Sequence, residues 1–293
     1  MAVIPNDLID DVQRHLRDTT GATWSDVECS EYMNNSFYIL IGVRPFAFSL
    51  IASVQLAANS TRQAIPTGDY MLLDMPRNMG ADGATEGKII TSVERWQLDM
   101  FNQHYHKGLG KTFIEHYAYD PKKSLTEFYV FPRTHVSTAV FVEMNTASHP
   151  IKVTAANQAA ATVTITSTGL VATVVHTAHA LSAGASVLIT GAAEDDYNGT
   201  FVISNITVNG YDYTMLADPV DTATGTITSK CVVILDQTYE PFVKEYMFYE
   251  AYNKNTSVAS FAQSQRHLTN AAGMIGMKLE ALQAAQDKLK EGA

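Results

Sequence analysis

The first alternation of apolar and polar positions is helical. Leu8, Ile9, Val12 and Leu16 fall on one stripe, with Asp7, Asp10 and Asp11 early and Arg14 and Arg17 late, an order that suits the helix dipole. Gly21 is the expected left-handed stop. Ser25 and Glu28 form a capping box with Trp24 ahead of it, which predicts a second helix from Ser25 to about Leu40. After Pro45, the spacing of Leu50, Val54 and Ala57 or Ala58 predicts a third helix over Phe46 to Asn59. Extended structure is expected from Ala64 to Asp74, a glycine-rich loop from Asn78 to Gly87, a strand from Ile89 to Arg95 and a short helix from Arg95 to Tyr105. Glu127–Pro132 and Ser137–Met144 read as two strands joined by a turn near Arg133-Thr134.

The pattern then changes for a long stretch. From Val153 to Ser229 there is no Lys or Arg, while Glu194, Asp195, Asp196, Asp212, Asp218 and Asp221 supply acids. Period-2 runs rich in Thr, Val and Ile recur at Thr162–Thr166, Leu170–His176, Ala185–Thr190, Gly199–Thr207, Tyr211–Leu216 and Thr224–Ser229. Asn198-Gly199 and Asn209-Gly210 sit where hairpins turn. This predicts a separate β-barrel or sandwich over residues 153–230, inserted into a hairpin of a host domain formed by 1–152 and 231–293.

The last stretch returns to helix. An aromatic run holds Phe242, Tyr246, Tyr249 and Tyr252, expected, with Trp24 and Tyr32, to form subunit core or interface. After Asn253, Leu268, Ala272, Ile275, Leu279, Leu282 and Leu289 recur at steps of three, four and seven, a coiled-coil-like seam on a helix of about 257–290. That seam is longer than a small core needs, so it predicts a docking surface. The fold class expected is α+β: a helical-bundle core with a few strands, plus the inserted all-β domain.

Composition narrows the chemistry. The chain has 293 residues, 46% apolar, with 30 acidic against 20 basic residues for a net charge of −10. That balance argues against a protein that grips phosphates, and suits a wall past which DNA slides. No apolar run is long enough to span a membrane, and no secretory signal is expected from the first residues. Cys29 and Cys231 read as buried hydrophobes in a reducing compartment. His104, His106 and His116, or His176 and His179, lack carboxylates and thiols at ligand spacing, so no metal is expected. Glu194–Gly199 lacks the calcium-loop pattern. Gly108-Leu-Gly-Lys-Thr112 fails as a phosphate loop, because its first glycine would fall at Tyr105. Lys107, Lys111, Lys122 and Lys123 make a local basic spot read as solvation of a loop. No Gly-x-Ser-x-Gly is present, and neither catalysis nor a cofactor is expected.

Asp7-Leu-Ile-Asp-Asp-Val-Gln-Arg-His-Leu-Arg-Asp18, Trp24-Ser-Asp-Val-Glu28, Tyr32-Met-Asn-Asn35 and Tyr239-Glu-Pro-Phe-Val-Lys-Glu-Tyr-Met-Phe-Tyr-Glu-Ala-Tyr-Asn-Lys-Asn255 together resemble the tailed-phage head-to-tail adaptor, or connector, proteins. The resemblance implies a virion protein, made in the host cytoplasm, that forms a ring of twelve copies between the portal protein and a tail or nozzle protein. In such a ring the terminal helix docks on the portal and genome DNA passes through. The alternative is an attachment protein whose β domain binds a host glycan through Tyr197, Phe201, Tyr211 and Tyr213.

Overall fold

The computed structural model describes residues 2–101, 104–158, 160–182, 184–215, 217–219, 222–254 and 258–291. Contacts divide the chain into two units, residues 1–44 with 150–293, and residues 45–149. Strand and helix each account for about a third of the chain, and a helical bundle decorated by a few strands does not form. The expected fold class is corrected accordingly: a nearly closed antiparallel barrel stands beside the helices of the first unit, and two four-stranded sheets build the second.

In the first unit, α1 (Pro5–His15) stops well before the expected Gly21. Arg17, not a glycine, takes the left-handed conformation with φ 58°. Its N–H donates to the Arg14 carbonyl and that of Asp18 to the Gln13 carbonyl, which satisfies the helix's last acceptors. The Asp18 carboxylate then accepts from the N–H groups of Ala22, Thr23 and Trp24 at 3.0, 2.7 and 2.8 Å, folding the loop onto itself. These bonds hold its pKa below the usual carboxylate value. The next helix, α2 (Asp26–Val43), begins at the expected capping box, with both reciprocal Ser25–Glu28 bonds present.

The same unit holds the barrel. Its strands are β10 (Ala161–Thr162), β11 (Thr164–Thr168), β12 (Val171–Val175), β13 (Ser186–Ala192), β14 (Gly199–Thr207), β15 (Gly210–Thr214) and β16 (Gly225–Ile234). All pairings are antiparallel, in the order β16-β13-β14-β15-β12-β11. Only Val163 separates β10 from β11, and β10 pairs with β16, so one bent segment nearly closes the ring. The six expected period-2 runs are all found here. Alternation works as anticipated: in β12, Ala172 and Val174 point into the core while Val171 and Val175 face out. Strand β1 (Ala2–Val3) pairs with the far end of β16, at Val233 and Ile234. The barrel therefore shares its longest strand with the rest of its unit, which includes the short helix α4 (Ala155–Gln158).

The same unit ends in α5 (Glu240–Asn253), α6 (Val258–Met274) and α7 (Leu279–Glu291), which pack on one another and on α1 and α2. The single terminal helix expected over 257–290 is broken at Gly276 (φ +66°). Met277 N–H donates to the Ala272 carbonyl and Gly276 N–H to the Gly273 carbonyl, a Schellman stop that the heptad count could not register.

The second unit is two four-stranded sheets. One has the order β2 (Ser49–Gln55), β9 (Phe141–Ser148), β4 (Asp69–Met79), β5 (Glu86–Ile89); the other runs β3 (Arg62–Ala64), β8 (Glu127–Phe131), β7 (His116–Ala118), β6 (Thr91–Ser92). Leu72, Met75, Val142 and Met144 of the first share a core with Tyr117, Phe128 and Val130 of the second. Buried Asn78 joins the sheets, donating to the carbonyls of Lys88 and Ile114 and accepting from the Ile114 N–H. The helix expected over Phe46–Asn59 is instead a 3-10 turn at Pro45–Phe48 followed by β2, which pairs with β9 along its whole length. The strands expected around Arg133-Thr134 form, but as β8 and β9 in different sheets rather than as one hairpin. Helix α3 (Arg95–Phe101) covers the second sheet through Leu98.

Candidate assembly surfaces

Helix α5 is buried on several sides, which explains its aromatic density. Phe242, Tyr246 and Tyr249 are buried, and α1, α2 and α6 all pack on this helix. Lys244 reaches Asp11 at 2.7 Å and Glu240 at 2.9 Å. Tyr252 is half-buried and stacks on His267, the ring centroids 5.4 Å apart. Trp24 is half-buried and donates its indole N–H to the Ala251 carbonyl at 3.1 Å. Half-buried Tyr32 has its phenol pKa pushed up to about 12 by burial. The six aromatics thus meet around one helix of one chain.

The Leu/Ile seam also faces inward. Leu268, Ala272, Ile275 and Leu282 are 3% exposed or less, and Leu279 is half-buried. Leu289 lies in α7, but its side chain is outside the described residues. Polar contacts fasten α6: Ser264 donates to the Tyr249 carbonyl, His267 bonds Glu245 at 2.8 Å, Asn270 donates to the same carboxylate at 3.2 Å, and Arg44 donates twice to the Ile275 carbonyl, at 3.1 and 2.8 Å. Arg44 so caps the α6 C-terminus where the dipole favours a cation. Helix α7 is held more lightly, mainly through Leu282.

The barrel offers little aromatic surface. Tyr197, Tyr211 and Tyr213 are buried, and only Phe201 of the expected platform is partly exposed, stacked on Tyr213 at 4.2 Å. The Tyr211 hydroxyl meets Ser229 Oγ at 2.6 Å and that of Tyr213 donates to the Tyr197 carbonyl. The glycan alternative loses the surface it requires. His179 has both ring nitrogens engaged, Nε2 with the Thr207 carbonyl and Nδ1 with the Leu181 N–H, so it ties down a loop. Among the described residues no cluster of three or more His, Cys, Asp and Glu is arranged to hold a metal ion. Cys29 and Cys231 are buried free thiols whose pKa values burial pushes up to about 11 and about 12.

Residues 45–149 hold an open sheet edge, a cavity and a projecting loop. Strand β2, Ser-Leu-Ile-Ala-Ser-Val-Gln, lies at a sheet edge without a charge or proline, and its Ile51 is exposed. Such an edge is a template for pairing with another chain. A cavity of about 480 Å³ opens between α3 and the β7–β8 end, walled by Trp96, Tyr119 and Tyr129, with Arg95 lying 4.2 Å over the Tyr129 ring. The loop that failed as a phosphate cradle holds Leu109 91% exposed. Its Lys111 pairs with Glu115, and Lys123 of the expected basic spot pairs with Asp120. The edge strand and the projecting leucine escaped sequence reasoning; the one signal for the leucine was its place between two glycines.

A family model described as SU10 adaptor protein matches residues 6–288. No curated protein matches the chain.

Proposed function

The chain belongs to the SU10 adaptor protein family, a phage adaptor-type family of virion components that associate with other head and tail proteins, and on that premise we propose that it forms a ring at the phage neck joining the portal to the tail. The role is structural rather than catalytic. The match over nearly the whole chain carries the reading, because a module borrowed from an unrelated protein would leave the barrel or the sandwich outside it. Copy number, twelve, comes from the resemblance alone. The net charge of −10 fits a channel wall that lets DNA pass without holding it. No helix among the described residues is long and apolar enough to cross a membrane.

Portal docking falls to the C-terminal segment in this proposal. Leu268, Ala272 and Ile275 are committed to α5, so α6 acts as a strut while α7, beyond the Gly276 stop, makes the contact. Deleting residues 279–293 is then the informative truncation, since it keeps the α6 seam intact. The truncated protein is expected to fold, with a cooperative transition at a Tm lowered by the loss of buried Leu282 and helical circular dichroism reduced only by α7, and to fail to join portal-bearing heads. Attachment of the truncated protein at full-chain levels would rule out the docking role.

A further inference from the structure

The loop around Leu109 is built to project. Buried Tyr105 anchors one side of it. On the other, the Lys111 N–H donates to the Arg133 carbonyl at 2.8 Å, and the chain passes so close to Thr134 that a Cβ on Gly110 would lie 2.4 Å from the Thr134 carbonyl oxygen. Only glycine permits that approach. With its base fixed on both sides, the tip puts Leu109 91% into solvent, beside exposed Lys107, which has no ion pair among the described residues. A single exposed leucine is ordinary. One held out between glycines on an anchored base is a ready contact point.

The cavity at α3 is its complement in chemistry. Trp96, 58% exposed, and the rings of Tyr119 and Tyr129 offer apolar wall. Of the four carboxylates in the lining, Asp99 pairs with Arg95, Asp120 with Lys123 and Glu127 with Arg62, while Glu94 has no ion pair among the described residues. Cavity and loop belong to the same unit and adjoin: His106, where the loop begins, has its ring 6.1 Å from that of Tyr129 in the cavity wall. The loop's far side is tied to Arg133 and Thr134, past the end of β8. Held there, Leu109 stays 91% exposed and does not fill the recess of its own chain, so the two suit a head-to-tail contact between copies, the kind that closes into rings.

We infer that the 106–111 loop of one copy inserts Leu109 into the Trp96–Tyr129 cavity of a second copy, with Lys107 meeting Glu94 at its rim. This rests on the neck-ring reading and names the junction that would build the ring. The test uses the full chain carrying Leu109→Asp or Trp96→Ala, both at exposed positions, with circular dichroism confirming the fold and native mass spectrometry and negative-stain images reading assembly. Each variant alone should need at least about 30-fold more protein than the wild type for half-assembly, the effect of losing a central contact. An equimolar mixture should give two-copy species and no rings, because the unaltered loop of the Trp96→Ala variant still fits the intact cavity of the Leu109→Asp variant. Variants that assemble like the wild type, or a mixture as inert as its parts, would overturn the junction alone. A wild-type protein that forms no multimer, either alone or on portal-bearing heads, would overturn the ring reading and the junction with it.

Discussion

The barrel of residues 161–234 and the sandwich of residues 45–149 solve the same problem in opposite ways. Both are sheets around apolar cores, the barrel antiparallel throughout and the sandwich antiparallel except for the β6–β7 pair. The barrel brings β10 back onto β16 and leaves little edge, and its tyrosine hydroxyls find partners inside. The sandwich leaves β2 and β5 at the edges of one sheet, and Ile51, Ile89, Trp96, Met100 and Leu109 in solvent. A closed sheet has little left to pair, whereas an open one with an uncharged edge strand such as β2 presents surface that a neighbouring chain can cover. The region that stands out in composition is thus the self-sufficient one, and the region with ordinary composition carries the surface suited to assembly.

Substitutions in the two cores sharpen this contrast. Phe128→Ala removes a ring fully buried between the sandwich sheets and should cost about 3–5 kcal/mol, read by urea denaturation; an unchanged midpoint would mean that the two sheets do not share one core. In the barrel, Tyr211→Phe leaves the buried Ser229 hydroxyl without its partner, a loss of about 1–3 kcal/mol. Adding Ser229→Ala should recover part of that loss, because no orphaned group then remains. The smallest effect is on pH. Burial, and then the nearby His179, lower the His176 pKa below its usual value, so the unfolded chain takes up a proton near pH 6.5 that the folded barrel resists. Barrel stability should be complete above pH 6.5 and decline as pH falls below it. His176→Gln should flatten that part of the pH profile of Tm, and an unaltered slope would place its origin elsewhere.

Much of the local structure is legible in the sequence. The Ser25–Glu28 box starts α2 where expected, because capping depends on residues three apart. The six barrel strands are found because period-2 burial repeats within each run, whatever its partner. Two errors have the same cause. Phe46–Asn59 carries apolar residues at helical steps, yet β9, some ninety residues away, recruits it as an edge strand whose exposed face shows no alternation. The heptad steps from Leu268 to Leu289 are real, but Gly276 ends α6, and whether the seam meets a partner or its own chain is not written in its spacing.

The caps, the strand periodicity and the aromatic face of α5 depend on neighbours along the chain and follow from the order of residues. Pairing over long separations is settled by the folded chain. Folding closed the barrel through β10, buried Leu268, Ala272, Ile275 and Leu282 within the chain, and anchored the Leu109 loop through a contact between Gly110 and Thr134. The physical reason is that exposure belongs to the folded arrangement. A leucine is equally apolar in a seam and on a loop tip, and only its surroundings set which one faces water.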